Sequence, residues 1–190
     1  MRFSMHRGQA GEKKGRKWLW IAMFILIIIT VLSPILTALS EKNDLPQGDG
    51  SPKEFSDKGI TITLTNDFAA TDAKGYTLCY DSEKVAVLIL KEEFTLQPGA
   101  EDYTLEEYGN QVIESNKLGT TLDVLDGITC FRYDHAASKK ETYSYLVTLF
   151  KTEDAFWMVQ FITLAENAET YQSTFLDWAG SVSFYTEVAQ

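Results

Sequence analysis

The sequence predicts an α+β fold: a single N-terminal transmembrane helix, then a mostly antiparallel sheet of about seven strands with two helices packed on it. Three observations carry this. Residues 18–39 contain no charged side chain. Seven short apolar or alternating runs between residues 60 and 164 are separated by turn signals. Two further stretches, after Thr104 and after Asn167, carry apolar residues at helical spacing instead.

The first element is WLWIAMFILIIITVLSPILTAL, residues 18–39. At ~1.5 Å per residue a helix of this length reaches about 33 Å, enough for a hydrocarbon core of ~30 Å. Trp18 and Trp20 stand at the end where indoles favour the headgroup layer, and Pro34 near the other end is tolerable in a membrane. Residues 1–17 carry six Lys or Arg against Glu12 alone, which predicts a basic cytoplasmic tail resting on anionic lipid. The C-terminal part then lies outside, on the plasma membrane. A cleaved signal peptide is the competing reading, although its apolar region is ordinarily ~7–15 residues and Leu36-Thr37-Ala38 is a mediocre cleavage site.

Residues 40–58, SEKNDLPQGDGSPKEFSDK, are expected to be a flexible linker: only Leu45 and Phe55 are strongly apolar, and Pro and Gly break any period. An extracytoplasmic α+β domain follows over residues 59–190. Ile60 to Leu64 alternates as a half-buried strand. Tyr76 to Tyr80 and Val85 to Leu90 flank an Asp81-Ser82-Glu83-Lys84 turn, and the unbroken apolar run of the latter marks a central strand. Thr104-Leu105-Glu106-Glu107 is a capping box opening a helix with Leu105, Tyr108, Val112 and Ile113 on one face, and Gly119 is its expected stop.

Thr121 to Leu125 and Ile128 to Tyr133 flank Asp126-Gly127, a two-residue hairpin signal. Tyr143 to Lys151 and Ala155 to Leu164 flank Thr152-Glu153-Asp154 as a second hairpin. Asn167 is placed to cap a last helix carrying Tyr171, Phe175, Trp178 and Val182, and Ser183-Phe184-Tyr185 reads as a short extended end. A sheet with helices on it buries each of these apolar faces.

Composition limits the function. The net charge of −10 repels phosphate backbones, which excludes a nucleic-acid partner, and 2 Cys exclude a disulfide-dense scaffold. Residues 40–190 hold 11 of the Lys and Arg and 26 of the Asp and Glu. None of the five asparagines begins an N-x-[ST] sequon, which suits a bacterial cell surface.

No catalytic, cofactor-binding or metal-ligating set is predicted. His135 is the one histidine of the outer domain and, beside Asp134, has no ligand spaced to help it hold zinc. No G-x-S-x-G elbow or phosphate-cradling glycine loop is present. Glu92-Glu93, Glu106-Glu107 and Glu153-Asp154 read as surface charge, at strand ends or on a solvated helix face. The stripe Tyr171/Phe175/Trp178 reads as core, whereas Tyr76, Tyr80 and Tyr143 are the aromatics expected to reach solvent. Cys79 and Cys130 read as two buried small apolar side chains, with a bridge as the alternative.

The opening Gly59-Ile60-Thr61-Ile62, the Asp126-Gly127 turn, the strand Phe156-Trp157-Met158-Val159 and the closing helix with Trp178 leading to Ser183-Phe184 together resemble the PsbP-like α/β sandwich. The resemblance covers about residues 59–186. It implies a non-catalytic accessory module that binds a partner protein, with no shared catalytic residues to carry over. The expected role is therefore a membrane-anchored extracytoplasmic interaction module for an unknown envelope protein. The alternatives are an envelope hydrolase using His135 or paired carboxylates, and a structural subunit of a membrane complex.

Overall fold

The computed structural model describes residues 47–186. Strands β1 (Pro52–Asp57) and β2 (Ile60–Thr65) are followed by β3 (Ala69–Thr71), β4 (Leu78–Asp81) and β5 (Ala86–Glu93). Two 3-10 turns lead into helix α1 (Leu105–Asn116). Then come β6 (Asp123–Leu125), β7 (Ile128–Ala136), β8 (Thr142–Lys151), β9 (Ala155–Leu164), helix α2 (Ala168–Gly180) and β10 (Ser183–Phe184). Among the described residues no helix is long and apolar enough to cross a membrane. The expected span 18–39, the basic segment 1–17 and residues 40–46 lie outside the described residues.

Two sheets form rather than one. The larger has seven strands in the order β3-β4-β5-β9-β8-β7-β6, and the smaller has three, β1-β2-β10. Neighbours in both are antiparallel. β9 is the middle strand, with β5 beside it, and both carry the continuous apolar runs that demand cover on two faces.

One face of the large sheet, with Leu88, Phe131, Tyr145, Val147, Leu149, Phe156 and Met158, packs under Tyr108, Val112 and Ile113 of α1. The other face, with Val87, Ile89, Leu146, Trp157, Val159 and Phe161, packs against Ile60, Ile62 and Leu64 of β2 and Phe175 and Ala179 of α2. Each large apolar side chain taken out of water contributes ~1.5–3 kcal/mol. Two buried hydroxyls of the middle are bonded: Thr148 Oγ1 donates to the Val159 carbonyl at 3.2 Å, and Thr163 Oγ1 to the Lys84 carbonyl at 3.0 Å, whereas Gln160 Oε1 and the Tyr145 hydroxyl are buried without a partner among the described residues.

Several expectations are corrected. Residues 52–57, assigned to the linker, form β1 because they pair with β2 over six positions, although only Phe55 among them is even half-buried. The turn between them is Lys58-Gly59, both at positive φ (48° and 89°), as a tight hairpin of matching twist requires. Asp126 and Gly127 take the same conformation (51° and 81°), as expected. α1 stops at Lys117, which adopts the left-handed cap itself ahead of Gly119. Asn167 precedes α2 but makes no side-chain cap bond, because a 3-10 turn over Ala165–Asn167 already leads the chain into the helix.

The capping box of α1 is complete. Thr104 Oγ1 accepts from the Glu107 amide at 3.1 Å and Glu107 Oε2 accepts from the Thr104 amide at 2.9 Å. Thr104→Ala should therefore lower stability by about 1 kcal/mol in urea unfolding, with Thr104→Ser close to the parent.

Candidate functional site

The groups singled out in the sequence are not brought together. His135 sits on β7 opposite Tyr143, at the start of β8, whereas Glu153 and Asp154 follow the other end of β8. Eight strand steps at ~3.4 Å separate these positions by about 27 Å. Among the described residues no cluster of three His, Cys, Asp or Glu could hold a metal. Glu106 and Glu107 lie exposed in the first turn of α1, where Glu107 serves the cap and the cap bonds lower its carboxyl below the ordinary value.

Cys79 and Cys130 are buried free thiols, as read from the sequence. They belong to opposite faces of the large sheet. Their strands β4 and β7 are four positions apart, about 19 Å at ~4.8 Å per strand. Burial also pushes the Cys130 thiol up. Thiol titration should find two reactive groups after unfolding in denaturant, and non-reducing electrophoresis should show no intrachain bridge.

Glu92 departs from the expected surface charge. It is 8% exposed, on the face that α1 covers, while Glu93 points the other way and pairs with Lys91. Burial raises the Glu92 carboxyl above its ordinary 4.5, and the Tyr108 hydroxyl facing it pulls more weakly in the opposite direction. The folded chain thus keeps this proton where the unfolded chain has released it. Glu92's contribution to stability is complete below 4.5 and is lost as pH rises through the raised folded value. Glu92→Gln should raise the unfolding midpoint at about pH 8 and leave it nearly unchanged at about pH 4, flattening the pH profile of stability between them.

The aromatic expectation also changes. Phe175 is core, with Tyr171 and Trp178 half-buried beside it, as expected. Tyr80 and Tyr143, however, are 3% and 7% exposed, because strand alternation turns both rings inward. Tyr76 is half-buried and faces Gln160, and burial lifts its hydroxyl to about 12. Tyr185, at 43% exposure, is the tyrosine that stands out from the surface.

Tyr185 borders a cleft of about 540 Å³ at one end of the sandwich, lined by the Lys58-Gly59 turn, Lys91, the β8–β9 turn with Glu153 and Asp154, Trp157, and Phe184 to Thr186. Antiparallel pairing sets Lys91, Trp157 and Phe150 in one row across β5, β9 and β8. Phe184 from β10 packs on that row, 5.3 Å from the Trp157 ring and 5.7 Å from Phe150. Gly59 allows the β1–β2 turn to close over the indole: a Cβ there would stand 3.8 Å from Trp157 Cζ2 and 3.3 Å from the Tyr185 carbonyl oxygen.

The charges of the cleft are organised. Lys91 Nζ lies 2.9 Å from Asp154 Oδ2, 3.2 Å from Glu93 Oε1 and 5.4 Å from the centre of the Trp157 ring. Lys58 Nζ donates to the Thr77 carbonyl at 2.8 Å. The hydrogen bond from Lys91 lowers the Asp154 carboxyl below its ordinary value, helped by Thr152. Trp157 is 2% exposed and its Nε1 has no hydrogen-bond partner among the described residues. A cleft of this kind supplies ring faces, held charges and backbone edges, which are means of gripping a ligand.

No protein-family model matches the chain, and no curated protein matches it. Among solved structures it is similar to cyanobacterial PsbP from Synechocystis sp. PCC 6803, at 14% identity and a TM-score of 0.49, over 77% of this chain and 99% of that one. A mutant of the protein Mog1 is similar at 10% identity and a TM-score of 0.46, over 70% and 96% of the two chains. LpqN, involved in cell envelope biogenesis of Mycobacterium tuberculosis, is similar at 10% identity and a TM-score of 0.42, over 72% and 90%. All three likenesses lie at 14% identity or below and at TM-scores under 0.5.

Proposed function

We propose that this chain is a non-catalytic binding module held on the outer face of a plasma membrane by residues 18–39, with residues 1–17 inside, and that it grips an envelope protein in the cleft at Trp157. The observation that carries the reading is the cleft itself. Three aromatic rings line it, and its two lysines are each held by acceptors. Its position also suits a tethered module. The linker enters at Pro52, and β1 runs from there to the Lys58-Gly59 turn at the cleft, about 17 Å at ~3.4 Å per residue. The cleft lies at the end of β1 opposite Pro52, which supports a reading in which a tethered domain keeps it free for a partner.

A photoreactive amino acid placed at Tyr185 should cross-link a defined partner in intact cells, while the same group at Val124, exposed on the far edge strand β6, should not. Equal adducts from both positions, or survival of the 59–190 domain when protease is added to sealed cells, would sink this reading.

A further inference from the structure

The cleft already contains one caged cation, and it is the chain's own. Lys91 Nζ sits over the Trp157 ring between the carboxylates of Glu93 and Asp154, an arrangement in which ring quadrupole and charge act together. Two lysines, Lys58 and Lys91, and two carboxylates, Glu153 and Asp154, line the cleft, and Glu93 adds a third carboxylate through its ion pair with Lys91. Lys91 is neutralised by its two carboxylates, and Lys58 is held by the Thr77 carbonyl, an acceptor without charge. Glu153 is exposed and has no hydrogen-bond or ion-pair partner among the described residues. The carboxylate that the cleft holds without a partner is Glu153, which lines it together with the rings of Phe184 and Tyr185.

A second feature sets the form of the ligand. Among the described residues β10 (Ser183–Phe184) is an edge strand of the small sheet, paired with β2 on one side, and its Phe184 and the following Tyr185 line the cleft. Its outer backbone groups can accept an added strand, as exposed sheet edges do in peptide recognition. The cleft is also several times larger than one side chain needs.

From these observations we infer that the cleft takes an extended segment of a partner protein, laid along β10, and that the segment inserts an arginine or lysine side chain between Glu153 and the rings of Phe184 and Tyr185. The inference rests on the reading of this cleft as the partner site. It adds a sign: the partner is basic where it enters. Attraction between such a segment and the acidic outer domain also makes association weaken with salt.

The test uses the full chain in neutral detergent and three fluorescein-labelled, end-blocked peptides of alternating valine with arginine, glutamine or glutamate, followed by anisotropy. The arginine peptide should bind saturably. Glu153→Gln should weaken it by about threefold and Tyr185→Ala by about three- to tenfold, both positions being exposed enough to leave the fold intact. Glu141→Gln removes the same charge at the start of β8, away from the cleft, and should leave binding at the parent value.

Equal weakening by Glu141→Gln would mean diffuse attraction to an acidic chain and would overturn the inference, as would absence of binding. A concentration-dependent dimer lost in Tyr185→Ala would make a second copy the occupant, which also overturns it. Tight binding of the glutamine peptide, still lost in Tyr185→Ala, would remove the basic side chain but keep the cleft as the partner site. If no peptide responds to Tyr185→Ala and position 185 cross-links nothing in cells, the cleft reading falls as well.

Discussion

The middle strand governs this fold. Every residue of β9 from Ala155 to Thr163 is buried. β5 and β8 satisfy its two edges, which leaves two apolar faces that water must not reach. A single layer cannot cover both. α1 closes one face, and α2 with the small sheet closes the other. The cleft is a consequence of the second cover. β2 brings its Lys58-Gly59 turn to the end of the sheet where β9 begins, and the cover stops just beyond Trp157. The site exists because the lid is shorter than the strand row it overlies.

This explains which parts were legible in the sequence. The unbroken apolar runs of β5 and β9, the alternation of Ile60, Ile62 and Leu64, the Asp126-Gly127 turn and the Thr104 capping box are local signals, and each has its expected structure. β1 was not legible because its side chains are exposed, so its pairing leaves no hydrophobic pattern. β3 has three residues, too few for a period to show. That β1, β2 and β10 form a sheet of their own is a long-range fact, joining residue 52 to residue 184 through pairings that no local pattern records.

Glu92 and the tyrosines make a different point, because there the signal was present. Strand alternation from Leu88 through Leu90 carries directly to Glu92, so two adjacent glutamates that look alike in composition face opposite layers. Charge alone suggested a surface pair. Parity separates a buried carboxyl facing Tyr108 from an exposed partner of Lys91. The same parity turns Tyr80 toward β2 and α2 and Tyr143 toward the α1 side. The cleft had no equivalent signal. Its walls come from four separated segments around residues 58, 91, 154 and 185, none of which carries a motif.

The antiparallel order also fixes where a site of this kind can be. β2 and β9 begin at the cleft, and β1, β5 and β8 end there. The β4–β5 and β7–β8 connections, and the Asn66 loop that ties down Gly50, lie at the opposite end. Strand ends release side chains and backbone groups from the ladder, so polar groups there are bonded to one another or left for a ligand. At that end, Asp49, Ser51 and Asn66 bond among themselves. At the cleft end, Lys91 and Lys58 are satisfied, but Glu153 and the outer edge of β10 are not. The two ends are thus chemically unequal: one is closed by its own hydrogen bonds around Asp49 and Asn66, and the other keeps ring surface and the Glu153 carboxylate available.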